Sequence, residues 1–315
     1  MRILLLAPDD EDGLLRAVRA AAAGHEVIRP TTRTRAELRE LLPGADIVVG
    51  DWSGELPLGA AEATRAPHLR LIQQPGVGTN WIDVDAWNRV GVPVANTPGA
   101  NAASVAEWAV VAAAAVSRSM PWAGAEIRSG GWPQRSILDH GCRDLGDRRA
   151  GILGFGDIGR RCAALFEAFG CTVAYTARHT RPDTAIRYLP LDDLLTESDV
   201  LVVAVPLTAR TRGLVGEREL GLLPPDAIVV NVARGPVIDE TALTAALRAG
   251  RLGGAALDVF DTEPLGVDSP LRSLDRVLAS PHVAGGSATA RRRIYEMTAA
   301  NVARVCGGAT PWWTV

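Results

Sequence analysis

The segment Gly154-Phe155-Gly156-Asp157-Ile158-Gly159 constrains this chain more than any other, because of what lies on either side of it. Ahead of it runs a short apolar stretch, Ala150-Gly151-Ile152-Leu153, with the pattern of a buried strand. Behind it, Cys162, Ala163, Leu165, Phe166 and Ala168 recur at helical spacing over residues 160–169, and residues 172–175 read as a second strand. Glycines at this spacing also occur in ordinary turns. Strand, glycine turn, helix and strand in this order form a dinucleotide-binding unit. In such a unit Gly154 permits the tight turn, Gly156 lets the backbone approach a pyrophosphate, and Gly159 lets helix and strand pack closely. The helix N-terminus then offers its free amide groups to the anion.

A length of 315 residues is enough for two domains and a large core. The formal net charge is only −3, so there is no electrostatic footprint for nucleic acid. Every basic side chain is Arg, which excludes Schiff-base and lysine general-base chemistry. Cys142, Cys162, Cys171 and Cys306 lack C-x-x-C spacing and read as free thiols of a reducing compartment, and no metal is expected. The apolar run at residues 3–7 is followed by Asp9, Asp10, Glu11 and Asp12, the pattern of a first strand and loop rather than a secretion signal. The longest apolar run, residues 108–116, falls far short of the ~20 residues that span a bilayer. A cytoplasmic protein with no membrane partner is the expectation.

The glycine turn lies in mid-chain, so about half the protein precedes it. That half has its own α/β rhythm, with strands expected near residues 2–6, 25–28, 46–49, 69–72 and 92–95. After the turn, apolar runs at 199–205, 227–232, 254–259 and 276–280 alternate with helical patterns, as a parallel sheet requires. Long helices at 101–118 and 286–306 flank this region like hinge connectors. The fold class is therefore α/β, with two Rossmann-like, doubly wound parallel-sheet domains. A dinucleotide-binding domain, residues 99–287, is inserted into a discontinuous substrate domain, residues 1–98 and 288–315.

Three segments close successive strands at the edge where open α/β sheets bind ligands. They are Asn231-Val232-Ala233-Arg234-Gly235, then Asp258-Val259-Phe260-Asp261-Thr262-Glu263-Pro264, then Ser280-Pro281-His282-Val283-Ala284-Gly285-Gly286. Arg234, Glu263 and His282 thus project toward the crevice beside the nucleotide. An Arg fork clamps a carboxylate through two hydrogen bonds. A carboxylate beside a His favours its charged form and makes it a tuned acid or base. Alternative readings are a capped loop residue for His282 and a structural turn carboxylate for Asp258.

With these segments the chain resembles the D-isomer-specific 2-hydroxyacid dehydrogenases, and the resemblance covers nearly its whole length. Further marks are Gly76-Val77-Gly78, Asn96-Thr97-Pro98-Gly99-Ala100-Asn101, Ser104-Val105-Ala106-Glu107 and Pro206-Leu207-Thr208. The resemblance implies a nicotinamide cofactor and a small 2-oxo or 2-hydroxy acid substrate. By the same resemblance Arg234 would bind the substrate carboxylate and polarise its 2-oxo group. His282 would exchange the hydroxyl proton, and Glu263 would keep His282 charged. Gly76, Val77 and Gly78 would meet the substrate carboxylate through backbone amides. Asp258 would meet the nicotinamide carboxamide, and Val105, Asp157, Ile158, Val205, Pro206, Thr211, Val232, Ala233 and Gly285 would complete the cofactor site.

The chain departs from the family pattern in two places. NAD-preferring relatives end the second nucleotide-fold strand with an acid, but here Thr176 stands there and Arg178 and Arg181 follow. An Arg accommodates a 2′-phosphate that an acid would repel, so NADP is favoured over NAD. Solvated loop arginines are the alternative. Phosphoglycerate dehydrogenases carry an Arg in the first domain for the substrate phosphate. The segments Ile72-Gln73-Gln74-Pro75 and Gly50-Asp51-Trp52-Ser53 offer no cation, which argues against a phosphorylated substrate. Trp52, Trp81 and Gln74 point instead to a neutral, partly aromatic pocket wall, with Trp81 equally placed to be core. Ser129-Gly130-Gly131-Trp132 resembles a loop that reaches a partner subunit's site in glyoxylate and hydroxypyruvate reductases, so Trp132 is a substrate contact or a dimer anchor. Trp312 and Trp313 are expected to staple the tail to the first domain. The reading is an NADPH-driven glyoxylate/hydroxypyruvate-like reductase acting as a homodimer. A nucleotide-sensing regulator on the same fold and a phosphoglycerate dehydrogenase-like enzyme are the rivals.

Overall fold

In the computed structural model, which describes residues 1–8, 12–139 and 142–315, the strands of both sheets pair only in parallel. The chain divides into two compact units, Met1–Asn101 with Ser287–Val315, and Ala102–Gly286. The first begins with β1 (Arg2–Leu5), α1 (Asp12–Ala21), β2 (Glu26–Ile28), α2 (Arg35–Leu41) and β3 (Ile47–Val49). It continues through α3 (Ala60–Ala63), β4 (Leu71–Gln73), α4 (Val84–Arg89) and β5 (Val94–Ala95). The second unit opens with α5 (Ala102–Ser117), α6 (Met120–Arg128) and α7 (Gln134–Asp139). Its sheet elements follow as β6 (Arg149–Leu153), α8 (Asp157–Ala168), β7 (Thr172–Thr176), β8 (Arg187–Tyr188), α9 (Leu191–Glu197) and β9 (Val200–Val203). Then come α10 (Glu217–Leu222), β10 (Ile228–Asn231), α11 (Glu240–Arg248), β11 (Gly254–Leu257) and β12 (Val277–Ala279). Finally α12 (Ala288–Cys306) belongs to the first unit again.

The first sheet has the order β2-β1-β3-β4-β5 and the second β12-β11-β10-β9-β6-β7-β8. Each winds outward in both directions from a reversal point, between β1 and β3 in the first and between β6 and β9 in the second. Parallel strands need a crossover each time, and the crossover helices cover both faces of a sheet. That is why the strands read as unbroken apolar runs: β9, Val-Leu-Val-Val, is buried at every position. In the first unit α1 and α12 supply Leu14, Val18, Val302 and Val305 to one face, while Leu38 and Trp87 sit against the other. Trp87 is fully buried, and its indole N–H donates to the Leu58 carbonyl at 2.9 Å. In the second unit α5 and α8 cover one face, with Ala109, Ala113, Cys162 and Phe166, and α9 to α11 cover the other with Leu194, Leu195, Leu220 and Leu243. The alanines of α5 let it lie directly on α8, β10 and β11.

Helix starts follow local chemistry. Thr34, Asp83, Asp239 and Ser287 accept the orphan amides of α2, α4, α11 and α12 respectively. Cys162 and Cys171 are buried free thiols, and burial pushes the Cys162 thiol up to about 12, leaving it inert. No helix among the described residues is long and apolar enough to cross a membrane. The expected elements appear within a few residues of their bounds, and β8 is among the elements that were not expected. That two-residue exposed edge strand carries no apolar run to betray it. The acidic run at Asp9, Asp10 and Glu11 lies outside the described residues.

Candidate active site

Because all strands of the second sheet are parallel, their carboxyl ends share one edge. Gly154 follows β6 at the reversal point, where its amide donates to the Thr176 carbonyl at 2.9 Å. Its φ of +101° suits glycine, and a β-carbon there would meet the Ala204 carbonyl at 2.7 Å. A β-carbon on Gly159 would lie 2.0 Å from the Gly154 carbonyl, so the contact of helix with turn requires this glycine too. Gly156 differs. It caps α8 with φ −89°, a conformation open to any residue, and a β-carbon would meet nothing within 4 Å. No contact among the described residues requires a bare backbone at Gly156. The amides of Asp157 and Ile158 in the first turn of α8 make no hydrogen bond with other described residues, as helix starts leave them. The donor set and the open cradle fit a dinucleotide.

Arg234, Glu263 and His282 come from the loops after β10, β11 and β12. The His282 Nδ1 meets Glu263 Oε2 at 2.8 Å, and Glu263 Oε1 accepts the Phe260 amide at 3.1 Å. Burial works against the Glu263 charge. The hydrogen bonds from His282 and Phe260, with the charges of His282 and Arg234, outweigh it and hold the carboxyl below its usual range. Burial lowers the half-buried Arg234 guanidinium, and the Glu263 charge pulls the other way. Arg234 stands in a turn fixed by Asn231, whose Oδ1 accepts the Ala233 amide at 3.1 Å and whose Nδ2 donates to the Arg234 carbonyl at 3.3 Å.

His282 has a φ of +54°, rare for a residue with a side chain, and Asp258 holds it there. The Asp258 carboxylate is buried at the end of β11. It accepts the Ser280 hydroxyl at 2.5 Å, the Val283 amide at 2.8 Å and the Ala284 amide at 2.9 Å. The Asp258 carbonyl takes the His282 amide at 2.8 Å. Both sides of His282 are thus pinned to one residue. Burial pushes the Asp258 carboxyl up, and these hydrogen bonds only partly offset it. Ser280 and Asn231 carry no charge, and no sequence signal marks their parts beyond their lying beside the reactive types.

Among the remaining nucleotide-side residues, Val232, Ala233 and Val105 are buried, Val205 and Gly285 half-buried, and Pro206 exposed. The Thr211 hydroxyl donates to the Pro206 carbonyl at 2.6 Å and accepts the Thr208 amide at 2.8 Å, which closes the loop after β9. Thr176 is buried at the end of β7, and Arg178 and Arg181 are exposed in the loop beyond. That loop is tied down twice. The Arg181 amide donates to the Tyr175 hydroxyl at 2.7 Å, and Arg160 pairs with Asp183 at 3.0 Å. Trp132 is 79 % exposed on the loop between α6 and α7.

The other expected residues lie in the first unit, at the carboxyl ends of its strands. Gly76, Val77 and Gly78 follow β4, and the Val77 and Gly78 amides make no hydrogen bond with other described residues. Trp52 follows β3 and packs partly buried against the core. Three expectations need correcting here. Trp81 is 47 % exposed and is not core, whereas Gln74 is turned inside, its amide directed to the Asp51 carbonyl. A cation does reach the Gly50–Ser53 stretch: Arg33, from the loop after β2, pairs with Asp51 at 3.2 Å and Glu55 at 3.0 Å and donates to the Leu6 carbonyl. Periodicity could not place it there, because a loop side chain arrives by tertiary folding. The two carboxylates neutralise it.

A family model described as D-isomer specific 2-hydroxyacid dehydrogenase, NAD binding domain, matches residues 110–284. The chain is 37% identical over 286 residues to the glyoxylate reductase of Thermococcus onnurineus, covering 88% of this chain and 85% of that one. It is 34% identical to the hydroxypyruvate reductase of Thermotoga maritima, over 82% of this chain and 84% of that one. Among solved structures, the TT0316 protein of Thermus thermophilus superposes with a TM-score of 0.89 at 33% identity, over 100% of both chains.

The glycine turn yields a paired test. Gly159→Ala should destabilise the fold by about 1–3 kcal/mol in chemical denaturation, the usual cost of overpacking. Gly156→Ser keeps a good helix cap, so stability should stay within about 0.5 kcal/mol while nucleotide affinity falls at least about tenfold by titration. Equal nucleotide affinity in Gly156→Ser and the parent would contradict the cradle.

Proposed function

The chain belongs to the D-isomer specific 2-hydroxyacid dehydrogenase family, and we propose that it reduces small 2-oxo acids of the glyoxylate and hydroxypyruvate kind to 2-hydroxy acids. The observation that carries this reading is the His282–Glu263 hydrogen bond on a turn clamped by Asp258, with Arg234 on the neighbouring strand end. A bound nicotinamide nucleotide supplies the hydride. The protein's part is to hold the oxo acid and deliver one proton. Arg234 offers its fork to the carboxylate and the 2-oxo oxygen. Glu263 engages Nδ1 of His282, which leaves Nε2 to protonate the oxygen as hydride arrives at C2. The Val77 and Gly78 amides add two neutral donors for the carboxylate. Arg33, neutralised by Asp51 and Glu55, supports an uncharged distal substituent over a phosphate.

Glu263 lies below the usual carboxylate range, so it stays ionised from neutral pH down through mildly acidic pH and loses its charge only as pH falls through that lowered value. Over this window it stays a charged acceptor for the Nδ1–H of His282. NAD(P)H oxidation against a panel of 2-oxo acids, glyoxylate and hydroxypyruvate first, tests the substrate class. His282→Ala should cut reduction about a hundredfold or more. Glu263→Gln should leave a working enzyme whose kcat for reduction falls about tenfold, the usual contribution of a hydrogen bond to a charged group. An unchanged kcat would refute the coupling.

NADPH is the favoured donor. Thr176 places no negative charge at the end of β7, and the tethered loop beyond presents Arg178 and Arg181 to solvent. A charge-assisted contact with a 2′-phosphate contributes about 1.5–3 kcal/mol. Arg178→Ala should therefore weaken NADPH binding about tenfold to a hundredfold and leave NADH binding nearly unchanged. A parent enzyme that prefers NADH would sink the assignment.

The active form is a homodimer built on the second unit. Val111, Met120, Ile127 and Leu138 on α5 to α7, with Trp132 on the loop between α6 and α7, are all exposed, and large exposed apolar side chains of this kind support an interface. Sedimentation at micromolar concentration should show a two-chain species that Trp132→Asp weakens. A fully active monomer would remove the dimer from the proposal.

A further inference from the structure

The Gly76–Gly78 loop owes the aim of its amides to a part of the chain far away in sequence. We propose that Asn301 on α12 and residues 312–315 are positioning residues for the substrate carboxylate, acting through two buried amide side chains. The inference rests on the carboxylate reading of the Val77 and Gly78 amides.

A trans peptide is planar, so its C=O and the next residue's N–H point in opposite directions. The Gly76 carbonyl accepts the Thr97 amide at 3.1 Å, which turns the Val77 N–H the other way. The Val77 carbonyl accepts Asn96 Nδ2 at 2.7 Å, which turns the Gly78 N–H the same way. Two carbonyls fastened inward thus present two donors outward. Asn96 is the anchor, and Asn96 is itself held on both sides. Its carbonyl takes Gln73 Nε2 at 3.3 Å, and its amide donates to the Trp313 carbonyl at 3.2 Å.

Gln73 and Asn301 are both 0% exposed. Buried amides are costly unless every polar atom is paired, and these pair with each other. Asn301 Nδ2 donates to Gln73 Oε1 at 2.7 Å and to the Trp312 carbonyl at 2.9 Å, and its Oδ1 accepts the Trp312 amide at 2.8 Å. Thr314 bridges Ala95 in antiparallel fashion, and the Val315 amide donates to the Val94 carbonyl at 2.9 Å. Residues 312–315 thereby extend the open edge of the first sheet beside Asn96. The expected stapling by Trp312 and Trp313 is made by backbone. The Trp312 indole itself stays 47% exposed, under the Arg304 guanidinium at 3.9 Å.

The test compares Asn301→Ala and a deletion of residues 312–315 with the parent in steady-state reduction of glyoxylate. Both should raise KM about tenfold, the equivalent of one well-made hydrogen bond to a charged group, and weaken oxalate inhibition in parallel. Both should keep kcat within about threefold and leave nucleotide affinity unchanged. Asn96→Ala, which removes only the anchor on the Val77 carbonyl, gives the same readout if the truncated chain does not fold. Val77→Pro removes one donor directly. A KM raised by Val77→Pro but not by the Asn301, Asn96 or deletion variants overturns the relay alone. A KM untouched by Val77→Pro overturns the carboxylate reading and the relay with it. A loss of thermal stability with KM unchanged reduces Asn301 to a structural residue and also overturns the proposal.

Discussion

Everything about this chain's chemistry follows from the parallel pairing of its strands. A parallel pair cannot be closed by a hairpin, so each strand must be followed by a crossover that returns the chain to the same starting edge. All carboxyl ends then emerge on the opposite edge, whatever the sequence between them. Gly154, Thr176, Arg234, Asp258 and His282 are widely separated along the chain yet share that edge in the second unit. The covering helices exclude water from both faces, which leaves the strand-end loops as the irregular backbone that can carry polar chemistry.

Within those loops the ordering comes from hydrogen bonds to side chains that need not touch a substrate. Asp258 binds both flanks of His282 and keeps it in a left-handed conformation that its own local preferences disfavour. Asn231 does the same service for the turn bearing Arg234. In both cases a short polar side chain at a strand end satisfies the backbone groups of the next turn, which fixes the backbone from which the longer side chain projects. Arg234, Glu263 and His282 are exposed or half-buried, and Asn231 and Asp258, which hold their turns, are buried.

Much of this was legible in the sequence, for identifiable reasons. Local periodicity revealed the strands and helices that are long and apolar, such as β9 and α5, and the spacing of the glycines revealed the turn at β6. Arg234, Glu263 and His282 stood out because each lies within a few residues of the end of a strand pattern, so strand and reactive type share one local signal. What stayed hidden came from distant partners. Nothing local distinguishes Arg33 from any other loop arginine; its place is set by Asp51 and the end of β1. Asn301 reads as a polar residue on a helix, and only the return of α12 to the first sheet buries it against Gln73. Edge strand β8 was missed because an exposed strand carries no hydrophobic pattern.

The side chain of Arg33 also sets the two doubly wound sheets apart. The first sheet reverses its winding between β1 and β3, the place where such a topology opens a natural crevice. Arg33 spans that opening, bonded to the carbonyl just beyond β1 and to the carboxylate just beyond β3. No glycine turn follows β1, where Leu6-Ala7-Pro8 stands instead. The first unit has thus closed its own reversal point with a guanidinium. Of two sheets wound alike, one is self-saturated there, while the other keeps an open glycine turn.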